Sequence, residues 1–206
     1  MVISYQTESF PVIAETIGHG GIVAFRTDTF YGLGADPFNR GAVQKIKDLK
    51  GREDHKPILI VISDPGQLAR FIRNPSKAFK HLAQAFWPGA LTLIGQANLK
   101  LPEEITAGSK TVGVRVPDDA RVRALVRACG GALTATSANP SHAAPAISAQ
   151  AVLNYFADSI DVIIDDGEAK TDRPSTVVNV SEAEPKLVRE GVISWAEITR
   201  MLDPEL

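Results

Sequence analysis

The sequence predicts a mixed α/β protein, a twisted open sheet with helices packed around it. Three observations carry that expectation. Short apolar runs rich in β-branched residues recur along the chain and alternate with amphipathic segments of helical period. Those runs are continuous rather than alternating, which fits strands covered on both faces. No Gly-, Pro- or Ser-rich linker divides the 206 residues, so a single domain over 1–206 is expected.

Each element follows from local pattern. A helix at 10–17 leads into a strand at 21–26. Asn39 opens a helix whose Val43, Ile46 and Leu49 share one side, and Gly51 ends it. A strand follows at 57–62. Asp64 caps a helix running to 72, and Asn74 or Ser76 starts another that stops before Pro88 and Gly89. Strands at 90–95 and 111–116 flank 98–110, which reads as a long surface loop. Then come a helix at 118–128, a strand at 132–136 and a helix at 148–156 capped by Ser148. Strands at 161–165, 176–180 and 186–189 are joined by short turns, which predicts antiparallel pairing at least there. A helix at 194–202 follows.

Bulk chemistry narrows the class. The net charge of -2 argues against a globally basic nucleic-acid-binding domain, so any anion site must be a local patch. The single cysteine, Cys129, excludes an internal disulfide and fits a reducing compartment. No basic-then-apolar leader opens the chain, and the longest apolar runs, such as 58–62, are too short to span a bilayer. A cytoplasmic location with no membrane contact is the expectation.

Several segments could carry chemistry, and each also has a plainer reading. Arg26 to Gly34 places two threonines, an acid and a tyrosine beside two glycines at a strand end. Hydroxyls and backbone amides there could hold a small polar ligand, or form a polar turn. Lys50, Gly51 and Arg52 fall where a helix stops. The two cations suit phosphate oxygens, but a charge run is also what a solvated helix face looks like. Thr134 to Ser141 offers small hydroxyls and an Asn, suited to phosphate or ribose or simply to a turn. Arg115 sits among apolar residues in a strand, so it needs an anionic partner, either a structural carboxylate or one on a ligand. Ser175 and Arg189 belong to neighbouring strands and could share the rim of one cleft.

Absences exclude other chemistries. There is no phosphate-binding loop of the Gly-Lys-Ser/Thr kind, and Gly18 to Gly21 precedes a strand instead of following one. His19, His55, His81 and His142 are isolated and show no metal-ligand spacing. No nucleophile elbow surrounds Ser109.

Taken in order, these segments resemble the YrdC-like family, the threonylcarbamoyl-AMP synthases. The resemblance rests on Thr27 to Gly34, on Lys50 and Arg52 with Lys56-Pro57-Ile58, and on Trp87 to Thr92. It continues through Val112 to Pro117, Ser137 to Ser141, Ser175 to Val178 and Arg189 to Gly191, and so covers about residues 10 to 195. The resemblance implies a twisted α/β fold with a basic concave cleft. It implies a nucleotidyltransferase that joins L-threonine, bicarbonate or CO2, and ATP into threonylcarbamoyl-AMP and pyrophosphate. That product serves the modification of tRNA adenosine 37 by a separate transferase complex.

Site roles follow from the same likeness. Thr29, Arg115 and Ser175 would hold threonine, with backbone at Val61 and Ala135 and with Tyr31 shaping the pocket. Lys50, Arg52, Lys56, Thr111, Ser137, Asn139 and Arg189 would surround ATP, with Pro145 near the nucleotide. Lys50 and Arg52 would balance the charge that grows during catalysis, and Mg2+ would bridge the phosphates without dedicated protein ligands. Arg26, His142 and Asn179 depart from the family pattern, which has Pro, Gly and Asp there. The short, single-domain form, without the further C-terminal domain of longer relatives, is the expectation. Two other readings stay open: a module that binds double-stranded RNA or tRNA, and a paralogue that adenylates a different carbamoyl compound.

Overall fold

The computed structural model describes residues 1–51 and 56–202. Arg52, expected both to bind ATP and to act in catalysis, lies outside the described residues.

Strand β1 (Val2–Ser4) and helix α1 (Phe10–Gly18) lead to a hairpin of β2 (Val23–Arg26) and β3 (Tyr31–Gly34). Helix α2 (Arg40–Lys50) follows, opened by the Asn39 side chain and closed by Gly51 at a φ of 54°. That left-handed turn is the one a glycine adopts without strain. Next come β4 (Ile60–Ile62), α3 (Lys77–Phe86), β5 (Leu91–Gln96), α4 (Glu103–Thr106) and β6 (Thr111–Arg115). The chain continues through α5 (Ala120–Ala128), β7 (Ala132–Thr134), β8 (Thr136–Ser137), α6 (Ala149–Phe156) and β9 (Val162–Asp165). Strands β10 (Thr176–Asn179) and β11 (Lys186–Arg189) and helix α7 (Trp195–Leu202) follow.

Among the described residues the strands divide between two mixed sheets. The first has the order β1-β9-β2-β3-β8 and the second β11-β10-β5-β6-β4-β7. Both mix parallel and antiparallel pairs: β9 lies parallel to β1 and β2, whereas β3 is antiparallel to its neighbours. The mixed α/β class and flanking helices stand as expected, with the strands shared between two sheets instead of one.

Alternation along the strands builds a core on each side. Ile22, Ala24, Ile60 and Ile62 join the larger cluster with Val43 and Ile46 of α2 and with Phe79 and Leu82 of α3. Val23, Phe25 and Val61 turn the other way, onto Ile13 and Ile17 of α1 and Val122, Leu125 and Val126 of α5. Period-two side-chain placement explains why neighbours in one strand serve different cores.

Several boundaries differ from the sequence reading. The helix expected at 64–72 is a 3-10 helix, Pro65–Arg70, capped by Asp64 as anticipated. Residues 98–110 contain α4, whose Ile105 and Thr106 are buried, so the segment is anchored and not merely a surface loop. The glycine-containing segment 31–34 is a central strand, not a turn. The strand expected at 132–136 is cut at Ala135 into β7 and β8, which belong to different sheets. Of the last three expected strands, β10 and β11 pair antiparallel, but β9 joins the other sheet.

Candidate active site

The point where the chain passes from one sheet to the other makes a cleft. Thr134 N bonds Ala35 O, and Ala135 N bonds Leu59 O at 2.8 Å, so Ala135 bridges the two sheets. The cleft has a cavity volume of about 180 Å³ and opens to solvent. One wall comes from the β2–β3 turn and β8, with Thr27, Thr29, Tyr31 and Ser137. The other comes from β4, β5, β6, β10 and β11, with Val61, Thr92, Arg115, Ser175 and Arg189.

Local hydrogen bonds fix the first wall. Thr27 N bonds Phe30 O at 3.0 Å, closing the turn between the paired strands. The Thr27 hydroxyl donates to Phe30 O at 2.8 Å and lies 3.1 Å from the Thr29 hydroxyl. Tyr31 is fully buried; its hydroxyl donates to Gly167 O at 2.7 Å and accepts from Asp166 N. Burial raises the pKa of its phenol.

The second wall carries the charge. Arg115 Nη1 bonds Asp28 Oδ1 at 2.6 Å, with both side chains buried. The partner that a buried Arg requires is thus a structural carboxylate from the facing turn, and the guanidinium has further N–H donors for a second anion. Arg189 wraps onto Ser175, donating through Nη2 to its backbone O at 2.9 Å. Desolvation of the guanidinium against Ser175 and the nearby charge of Arg115 lower the Arg189 pKa. Two like charges facing one space favour an anion between them. The Ser175 hydroxyl pairs with that of Thr92 at 3.0 Å. Gly191 lets this wall close, because a Cβ there would stand 2.1 Å from Pro174 O.

Every residue expected to hold threonine lines this cleft: Thr29, Tyr31, Val61, Arg115, Ala135 and Ser175. Ser137, Pro145 and Arg189 of the expected nucleotide set line it too. Arg52 lies outside the described residues, and the remaining four stand elsewhere. Lys50, expected to face the phosphates, is buried, with Nζ donating to Ser137 O and, at 2.5 Å, to Asn139 O. Asn139 is also buried, and its amide donates to Pro140 O and Ala143 O. Both residues shape the 137–145 loop from behind. Lys56 is half-buried and is not part of the cleft's lining. Thr111 begins β6, four residues from Arg115, which is about 13 Å along a strand.

Sequence reasoning passed over Asp28, Thr27 and Thr92 as individual site residues. All three belong to the motif segments, but only the fold shows that Asp28 reaches Arg115 across the cleft. Cys129 lies away from the cleft, and burial pushes its thiol up to about 12, which makes it a poor nucleophile. Among the described residues no group of three or more His, Cys, Asp or Glu could hold a metal, and no helix is long and apolar enough to cross a membrane.

The fold and the cleft define an α/β protein with a ligand site of hydroxyls and arginines between two mixed sheets. The family model Sua5_yciO_yrdC, described as "Telomere recombination", matches residues 15–191, and the chain belongs to that family. It is 35% identical over 164 residues to the threonylcarbamoyl-AMP synthase of Halorhodospira halophila, covering 80% of this chain and 86% of that protein. It is 36% identical over 191 residues to the protein of the same name from Pyrococcus abyssi, covering 93% of this chain but 56% of the relative. The crystal structure of P. abyssi Sua5 complexed with L-threonine superimposes with a TM-score of 0.94 at 33% identity, over 98% of this chain and 61% of that one. E. coli YciO shares the fold, with a TM-score of 0.84 at 23% identity over 96% of this chain and 98% of that one.

Proposed function

We propose that this chain is an L-threonylcarbamoyladenylate synthase, using L-threonine, bicarbonate or CO2, and ATP. The observation that carries the proposal is the convergence of Thr29, Tyr31, Val61, Arg115, Ala135 and Ser175 on one cleft. The likeness to the threonine-bound P. abyssi structure and to curated synthases supports the same reading.

The chemistry suits such a site. Arg115, held by Asp28, takes the threonine carboxylate through its remaining N–H groups, while Thr29 and Ser175 offer hydroxyls. The neutral amine attacks CO2 and loses a proton, giving N-carboxythreonine. The new carboxylate attacks the α-phosphorus of ATP, the bond to the β-phosphate oxygen breaks, and pyrophosphate leaves. The protein positions the reactants and stabilises charge, which requires no general acid–base dyad.

Ser137 and Arg189 contact the nucleotide from the cleft, and the family likeness assigns the phosphates to Arg52. Lys50 and Asn139 hold the loop against which the nucleotide lies. Among the described residues the cleft's lining carries no carboxylate, and Mg2+ would be held by phosphate oxygens and water. The product supplies a separate transferase complex acting on tRNA.

The test is pyrophosphate release with ATP, Mg2+, bicarbonate and each amino acid in turn. Threonine-dependent release is expected. Release with another amine would move the assignment to a paralogue. No release, together with salt-sensitive tRNA binding, would make the chain an RNA-binding module instead.

A further inference from the structure

The segment 166–175 is one of the covalent connections between the two sheets. It leaves β9 in the first sheet and enters β10 in the second, ending on the Ser175 wall. It has no helix or strand of its own, yet it is fastened at both ends. At the first sheet, Arg26 holds it through Nε, which donates to Asp166 O at 2.9 Å and Oδ2 at 3.1 Å, and through Nη2, 2.6 Å from Oδ2, while Arg121 pairs with Oδ1 of the same carboxylate. Tyr31, a wall residue of the cleft, bonds Gly167 O from the same side. Lys170 adds a contact to Asp119 at 2.9 Å, and Asp119 also lies 3.3 Å from Arg26. At the second sheet, Arg173 donates to Gly191 O and Val192 N bonds Pro174 O. Gly167, at a φ of 75°, supplies the bend next to the first clasp.

We propose that this segment is a strap that sets the spacing between the two walls of the cleft, and that Arg26 is the positioning residue that clasps it. The inference rests on the threonine-binding reading of the site. Arg26 stands 5% exposed, and its Nη1 is buried without a partner among the described residues. A buried guanidinium that is only partly satisfied is a cost to the fold. A residue kept solely for stability would be better replaced by an apolar one. Arg26 instead joins the hairpin carrying Thr29 and Tyr31 to the strap carrying Ser175. The extra cation beside the threonine turn therefore acts through Asp166 and not on the ligand.

The experiment uses the full chain and its Arg26→Gln, Asp166→Asn and Arg26→Lys variants. Initial rates of pyrophosphate release are measured against threonine and against ATP, and amide hydrogen exchange is followed at Gly167 and Ala169. Arg26→Gln and Asp166→Asn should each raise the threonine KM about tenfold, with kcat within about twofold and a smaller rise in the ATP KM. A variant combining Arg26→Gln with Asp166→Asn should be no worse than either single one, and Arg26→Lys should recover part of the loss. Exchange at both amides should quicken in Arg26→Gln. An unchanged threonine KM in a folded variant overturns the proposal, even if exchange quickens. Equal losses in ATP KM and kcat overturn it too, because they report general damage. If Arg26→Gln does not fold, Asp166→Asn and Arg26→Lys decide by the same criteria. If the wild-type chain releases no pyrophosphate with threonine, the functional reading fails by itself; unchanged exchange then rejects the strap and faster exchange retains it.

Discussion

Arg115 shows how one residue links folding to chemistry. Its strand is buried, so its charge had to be matched, and Asp28 matches it at 2.6 Å. The contact also fixes the direction of the guanidinium before any substrate arrives, which reduces the entropy lost on binding. Arg115→Ala should lower kcat/KM for threonine by about a hundredfold or more, because it removes a charge-assisted contact and strands Asp28. Steady-state kinetics at varied threonine checks this; a change below fivefold would contradict it. At this scale the sequence was partly readable. An Arg among apolar residues announced that a partner must exist. Its identity depended on a contact between residues far apart in the chain, which no local pattern encodes.

Elements decide which of the expected contacts reach the cleft. Gly51 ends α2 as its sequence predicts, but the preceding Lys50 turns inward and holds the carbonyls at 137 and 139. Lys50→Met should therefore lower the thermal midpoint and raise the ATP KM together, by leaving buried carbonyls without their donor. A weaker ATP KM with an unchanged midpoint would instead indicate direct phosphate contact. Helix α5 offers a pH test. Asp119 caps it, accepting from Arg121 N at 2.9 Å and Val122 N at 3.3 Å. Burial pushes the Asp119 carboxyl up, but Lys170, the helix amides and Arg26 outweigh it and hold the pKa below the usual aspartate value. A lowered folded pKa contributes stability that is complete above the unfolded value, about 3.9, and is lost as pH falls through the folded one. Lys170→Ala raises the folded pKa toward the unfolded value, so the variant should be less stable near neutral pH and lose less stability through the acid range, as read from urea midpoints; superimposable curves would refute the assignment. The least legible element was β3. Its two glycines weaken the strand signal, yet pairing with β2 and β8 places it inside a sheet.

The whole molecule places the site where its two sheets meet. Short apolar strands read alike whichever sheet they join, because pairing is set by distant partners and not by composition. Thus the strands of the second half were legible as segments, while the break at Ala135 and the separation of β9 from β10 were not. The break matters most: it carries Thr136 and Ser137 to one wall of the cleft while β4 and β6 supply the other. The family resemblance reached the cleft residues because its motifs lie at strand ends and turns, which this topology gathers. It did not convey which of them face the space and which brace it from behind. The central claim is that one cleft joins threonine, carbon dioxide and ATP. The most direct measurement is mass spectrometry of the nucleotide product formed from isotopically labelled bicarbonate, threonine and ATP. The account predicts labelled threonylcarbamoyl-AMP from the wild-type chain and its near absence with Arg115→Ala. Unlabelled adenylate, or product that forms equally well without threonine, would contradict it.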